Sequence, residues 1–158
     1  MAILPSCNGG VVTPNTPSEV SYYLDQAYRA KSVGANSACI AMYRGALDQL
    51  LHQQGYISGM LGSKLGKLEK DIKDGKAPVW AEDIDIKYLS YLNALGNGSI
   101  HPNDGDIDKQ KELDNQLIEV VDVVFTMLLD SIYEKPVREQ GWLSTLEEKS
   151  KHFEWKHK

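Results

Sequence analysis

Leu113-Asp114-Asn115-Gln116-Leu117-Ile118-Glu119-Val120-Val121-Asp122-Val123-Val124-Phe125-Thr126-Met127-Leu128-Leu129-Asp130-Ser131-Ile132 is the stretch on which the fold class turns. Its valines suit a strand by composition. Its spacing does not. Leu113, Leu117, Val120, Val121, Val124, Met127, Leu128 and Ile132 recur at steps of three and four, the period of one helix face and not the alternation of a half-buried strand. The spacing predicts a helix over 108–134. Pro136 is expected to stop it, because proline lacks the amide donor and its ring crowds the preceding turn.

Upstream segments carry the same period. Ser18, just after Pro17, reads as the cap of a helix over 18–32 that places Val20, Leu24, Ala27 and Tyr28 on one side, until Gly34 breaks it. Asn36 or Ser37 is the expected cap of a second helix over 36–54. Its apolar residues, among them Cys39, Ile40, Tyr43, Leu47 and Leu50, fill an arc wide enough for two neighbours, and Gly55 ends it. A shorter helix is expected over 58–73, a turn over 74–78, a further helix over 82–98 and an Asp/Gly loop over 102–108. No segment has a convincing strand period. The expected architecture is an all-α, four- to five-helix up-and-down bundle over 18–134. An extended arm precedes it over 1–17 and a C-terminal helical extension follows over 135–158. That extension ends basic and carries Trp142, Phe153 and Trp155, which either pack back on the bundle or run out from it.

Composition narrows the function classes. The 158 residues fit one domain and carry a net charge of −5, which argues against nonspecific DNA or RNA binding through Lys and Arg. No apolar run approaches the roughly 20 residues of a membrane span, and the N-terminal sequence lacks a signal-peptide pattern. The two cysteines, Cys7 and Cys39, form no Cys-x-x-Cys pair, so a cytoplasmic setting is the expectation. Nothing calls for a cofactor or a metal. Asp104, Asp106 and Asp108 alternate as calcium ligands do, but the later glycine and closing glutamate of an EF-hand loop are missing, and a helix-capping loop is the expected role. His52, His152 and His157 have no metal-ligand spacing and read as surface residues.

One constellation carries polar chemistry. On the helix over 82–98, Ile84, Tyr88, Tyr91 and Leu95 cluster on one side, while Ser90, Asn93, Asn97 and His101 fall on the other. Gly96 and Gly98 weaken the helix by about 1 kcal/mol each relative to alanine, and Pro102 pushes His101 out of the helical region. His101 is therefore expected at a frayed end beside an opening. From the second helix, Arg44 and Asp48 share a face. They either pair with each other and fasten that helix near Asn97, or leave Arg44 to meet His101.

Tyr43-Arg44-Gly45-Ala46-Leu47-Asp48-Gln49-Leu50-Leu51, followed by Leu92-Asn93-Ala94-Leu95-Gly96-Asn97-Gly98-Ser99-Ile100-His101, resembles a prokaryotic HEPN-like domain of unknown function, of the kind found alone or attached to restriction-type nucleases. The first run is similar to that family's Arg-x-x-Leu-acid helix and the second to its Gly-Asn-x-x-x-His helix end. The resemblance covers residues 18–134. It implies a homodimer with Asn97 and His101 near the interface cleft. It also implies a prokaryotic or phage defence, counter-defence or toxin–antitoxin setting, and a protein partner or an RNA or nucleotide-like ligand. Active members are metal-independent ribonucleases in which the histidine, here His101, moves a proton and an arginine meets the phosphate. That arginine usually stands directly before the asparagine, where this chain has Gly96. Glycine has neither charge nor donors. The expectation is a binding module without catalysis or with little of it, with Asn93, Asn97, His101, Arg44 and Asp48 as its site. The alternatives are an RNA endonuclease using His101 with Arg44, and a purely structural accessory domain.

Overall fold

The computed structural model describes residues 13–101 and 107–153, and every regular element among them is helical. In chain order these are α1 (Ser18–Ser32), α2 (Asn36–Gln53), α3 (Leu61–Lys73), the single turn α4 (Val79–Glu82), α5 (Lys87–Ile100), the short α6 (Ile107–Lys111), α7 (Asn115–Leu129) and α8 (Lys135–Ser150). A π-helical turn, Asp130–Glu134, joins α7 to α8, and a 3-10 turn, Lys151–Phe153, follows. The all-α expectation holds. The arm residues 1–12, the aspartates Asp104 and Asp106, and Trp155 and His157 lie outside the described residues.

α2 is the central helix. It buries Cys39, Ile40, Tyr43, Ala46, Leu47, Leu50 and Leu51, and it packs against α1, α5 and α7. Gly34 and Gly55 close α1 and α2 as expected. At φ +77° and +97° they take the left-handed conformation that costs other residues a Cβ clash. Each allows paired return bonds to the helix end: Ala35 N–H to Ala30 O and Gly34 N–H to Lys31 O, then Tyr56 N–H to Leu51 O and Gly55 N–H to His52 O.

The expected caps are corrected. Pro17 occupies the α1 cap position and its carbonyl takes the first amides, while Ser18 is already helical. Ala35 stands at the α2 cap without a side-chain bond. Asn36 and Ser37 are used across the bundle instead: Asn36 Nδ2 donates to Asn115 Oδ1 and Ser37 Oγ to Gln110 Oε1.

Two helices predicted from periodicity are corrected. The helix expected over 82–98 starts only at Lys87, as α5; Glu82 closes the separate turn α4, and Ile84, between the two, is buried. The stretch over 108–134 breaks at 112–114, and Asp114 caps α7 by accepting from Leu117 N–H at 2.9 Å. Asp114→Ala is expected to cost about 1 kcal/mol, the usual loss for a carboxylate cap, read as a lower urea midpoint with unchanged slope. The buried stripe of α7 is Ile118, Val121, Val124, Phe125, Leu128 and Leu129; Val120 faces out. Phe125 sets that orientation, being the largest fully buried side chain.

Pro136 does not stop the chain. It falls in the first turn of α8, where its missing amide is no loss. The π turn before it, closed by Lys135 N–H to Asp130 O, widens the ladder and relieves the clash between ring and carbonyl. The N-terminal approach locks this turn: Asn15 donates from its backbone to Glu134 Oε1 at 2.8 Å and from its side chain to Oε2 at 2.9 Å. The backbone donor and the amide together hold the Glu134 carboxyl below the usual carboxylate range. α8 then runs outward with no buried residue.

Candidate functional site at the α2–α5 crossing

α5 continues through both glycines to Ile100, and His101 is the first extended residue, at ψ 147°. Its amide still donates to Asn97 O at 3.1 Å. The helix tolerates the glycines because neighbours take up its last carbonyls. Ser99 Oγ donates to Gly96 O at 2.7 Å, and Gln110 Nε2, arriving from α6, donates to Gly98 O at 2.6 Å. Gln110 also accepts from Ser37, so one amide ties the end of α5 to the start of α2. No sequence signal points to Gln110, since the contact is made by tertiary placement alone.

The face of α5 turned inward is Leu89, Leu92 and Gly96, with Asn93, Leu95 and Asn97 half-buried beside them. Tyr88 and Tyr91, expected inside, are exposed. Gly96 decides this orientation. A Cβ at Gly96 would stand 2.5 Å from Arg44 Cβ, 2.5 Å from its Cδ and 2.7 Å from its Cγ. The absence of a side chain lets α2 and α5 approach, and the aliphatic stem of Arg44 lies in the space. One residue on, Gly45 makes the equivalent concession to α1: a Cβ there would lie 2.6 Å from the ring of Tyr23. α2 thus accepts close neighbours on both sides of the Arg44-Gly45 step.

The guanidinium of Arg44 continues past Gly96 and donates from Nε to Asn97 Oδ1 at 3.0 Å. The expected Arg44–Asp48 pair does not form. Asp48 instead accepts from Lys64 Nζ at 2.7 Å. Lys64 projects from α3 and is 6% exposed, the one buried charged residue among those described. Burying an ammonium without a partner is costly, so Asp48 is claimed by the cation that has no access to water. Lys64 could have been found in the sequence: it lies three residues after Leu61 and four before Leu68, on the same face of α3. Asn93 is half-buried, its Nδ2 beside Gly62 of α3, and its Oδ1 has no hydrogen-bond partner among the described residues.

The structure therefore brings Arg44, Asn97 and His101 to one helix end, where Asn97 accepts from Arg44 through its side chain and from the His101 amide through its backbone carbonyl. Asp48 belongs to a separate pair with Lys64. The His101 side chain is exposed, and Arg44 is half-buried with Nε committed. Among the described residues no group of three or more His, Cys, Asp or Glu side chains is placed to hold a metal ion, and no helix is long and apolar enough to cross a membrane. His52 and His152 are exposed. Asp108 lies within the first turn of α6 and pairs with Lys111 at 3.1 Å.

A family model described as "Domain of unknown function (DUF4145)" matches residues 25–155, most of the chain, and the protein belongs to that family. Comparisons with curated proteins and with solved structures gave no match.

Proposed function

We propose that this member of the DUF4145 family is a HEPN-like binding module that works without catalysis or with little of it, as a homodimer, in a prokaryotic or phage defence, counter-defence or toxin–antitoxin setting. The observation that carries this reading is the joint at Gly96. A ribonuclease of the HEPN kind needs a cation at the helix end, free to fit itself to phosphate as charge develops. Among the described residues, the arginine at that place, Arg44, comes from another helix. Its stem is packed over Gly96 and its Nε is held by Asn97. The aim of the guanidinium is set by the fold. Such a group serves well as a fixed donor to a docked carboxylate or phosphate, because little side-chain freedom remains to be lost. Arg44, Asn97 and His101 would form the contact surface for a protein partner or a nucleotide-like ligand.

A second reading, a metal-independent RNA endonuclease using His101 and Arg44, is favoured by one observation: Arg44 reaches the Asn97 side chain, one helical turn before His101, so both residues stand at the same end of α5. Incubation of the purified chain with mixed RNA in the presence of a chelator distinguishes the two. The binding reading predicts the same negligible cleavage for the wild type and for His101→Ala. Cleavage by the wild type that His101→Ala abolishes would overturn it in favour of the nuclease.

A further inference from the structure

α8 leaves the bundle with a largely exposed apolar face, on which Arg138 of the same helix lies 5.9 Å over the Trp142 ring. Trp142, Leu143 and Leu146 are 59%, 60% and 66% exposed, and Phe153, on the turn that follows, is 80% exposed. At about 100° per residue these four, with Glu139 and Lys149, fall within one arc of roughly 120°. At the root of the same helix, between α8 and α4, lies a cavity of about 350 Å³ walled by Trp80, Ile132, Pro136 and Leu143 on its apolar side and by polar groups, Lys135 and Glu139 among them, on the other. An exposed aromatic side chain and a hollow with an apolar side thus stand at opposite ends of one helix face.

We propose that α8 pairs antiparallel with α8 of a second copy, about a two-fold axis passing between Leu143 and Leu146, and that each copy seats its Phe153 over the α4–α8 cavity of the other. This deepens the homodimeric part of the function proposed above, rests on it, and moves the contact from α5 to α8. The geometry selects a second copy as the occupant. Phe153 and Pro136 lie at similar distances from that axis along the chain, about 14 Å and about 13 Å at 1.5 Å per α-helical and 2.0 Å per 3-10 residue. A two-fold rotation therefore brings the ring of one copy to the level of the other's cavity. The same rotation sets Leu143 against Leu146 and brings Lys149 within roughly 1.5 Å, along the axis, of the level of Glu139 in the second copy. Neither Glu139 nor Lys149 has an ion-pair partner within its own described chain, so the charges at the rim are complementary where the apolar centre is self-complementary. An interface that reads the same from both sides is what a closed two-fold dimer requires.

Sedimentation velocity on the full chain tests this. The wild type is expected to sediment as a dimer, and Leu146→Glu is expected to raise the dimer Kd by roughly 30-fold or more, the size of a central interface loss. Because Leu146 is exposed, the helix content by circular dichroism should be unchanged. Glu139→Lys should weaken the dimer, and adding Lys149→Glu should restore it; restoration would tie the effect to this pairing and not to misfolding. A wild type that stays monomeric at about 100 µM, a concentration at which even a Kd of tens of micromolar leaves mostly dimer, would overturn both this interface and the homodimeric reading. A dimer of equal strength in the wild type and Leu146→Glu would overturn only the α8 interface.

Discussion

Phe125→Ala is expected to lower the unfolding free energy by about 3–5 kcal/mol, the range for truncating a fully enclosed phenylalanine. Phe125 is 0% exposed, and its ring lies 4.8 Å from that of Tyr43, tilted by 36°. This is where α7 meets α2. The loss combines the transfer free energy of the ring with the cavity that remains, because a close-packed core relaxes only partially around it. Against the roughly 5–15 kcal/mol total stability of a typical domain, such a loss brings the folded state close to its limit. Urea denaturation should show a large fall in midpoint with an unchanged slope. A loss below about 1 kcal/mol would mean that α7 does not sit in the core in this orientation.

Gly96→Ala carries the second large effect, and its sign is the informative part. In an exposed helix the exchange stabilises by about 1 kcal/mol. Gly98 is such a case, because a Cβ there meets nothing within 4 Å, and Gly98→Ala is expected to raise stability by up to about 1 kcal/mol. At Gly96 the same methyl meets Arg44 Cβ and Cδ at 2.5 Å. Cδ can change rotamer, but Cβ is fixed to the α2 backbone and cannot swing aside, so α2 and α5 must separate. Overpacking of this kind costs about 1–3 kcal/mol, more than the helix gain returns. Gly96→Ala should therefore lower Tm while Gly98→Ala raises it. Equal shifts in the two variants would remove the close α2–α5 approach from consideration.

Periodicity in the sequence identified the helices and fixed the fold class, because burial of an apolar face imposes the three- and four-residue steps directly. It located the ends of α1 and α2 through Gly34 and Gly55, whose left-handed conformation is a local property. It starts α5 five residues early and joins α6 to α7, because the residues at 83–86 and at 112–114 leave the apolar spacing nearly intact. It also ended the last helix at Pro136. A π turn that accommodates proline has no composition signal of its own. Within the site, Arg44, Asn97 and His101 were recognisable as residue types at helical spacing. Their relation was not. Asp48 was assigned to Arg44 by proximity in sequence, whereas the burial of Lys64 on α3 reassigned it. Which charged group loses access to water is decided by how three helices pack, and a single helix wheel does not contain that information.

The glycine at 96 gains a different meaning from this packing. Read along the chain, it is a position without a cation. Read in space, it is the groove through which a cation from α2 reaches Asn97. An α8-paired dimer would leave that helix end free for a partner in each copy.

A double-mutant cycle measures the joint most directly. Arg44→Met keeps an unbranched stem over Gly96 and removes the guanidinium; Asn97→Ala removes its acceptor. If Nε of Arg44 is held by Asn97, the double variant loses less stability than the sum of the two single losses, by a coupling of about 1 kcal/mol for a partly exposed charged hydrogen bond. Additivity within roughly 0.3 kcal/mol would show that Arg44 is not tied to Asn97, and the reading of this helix end as a fixed binding surface would fall with it.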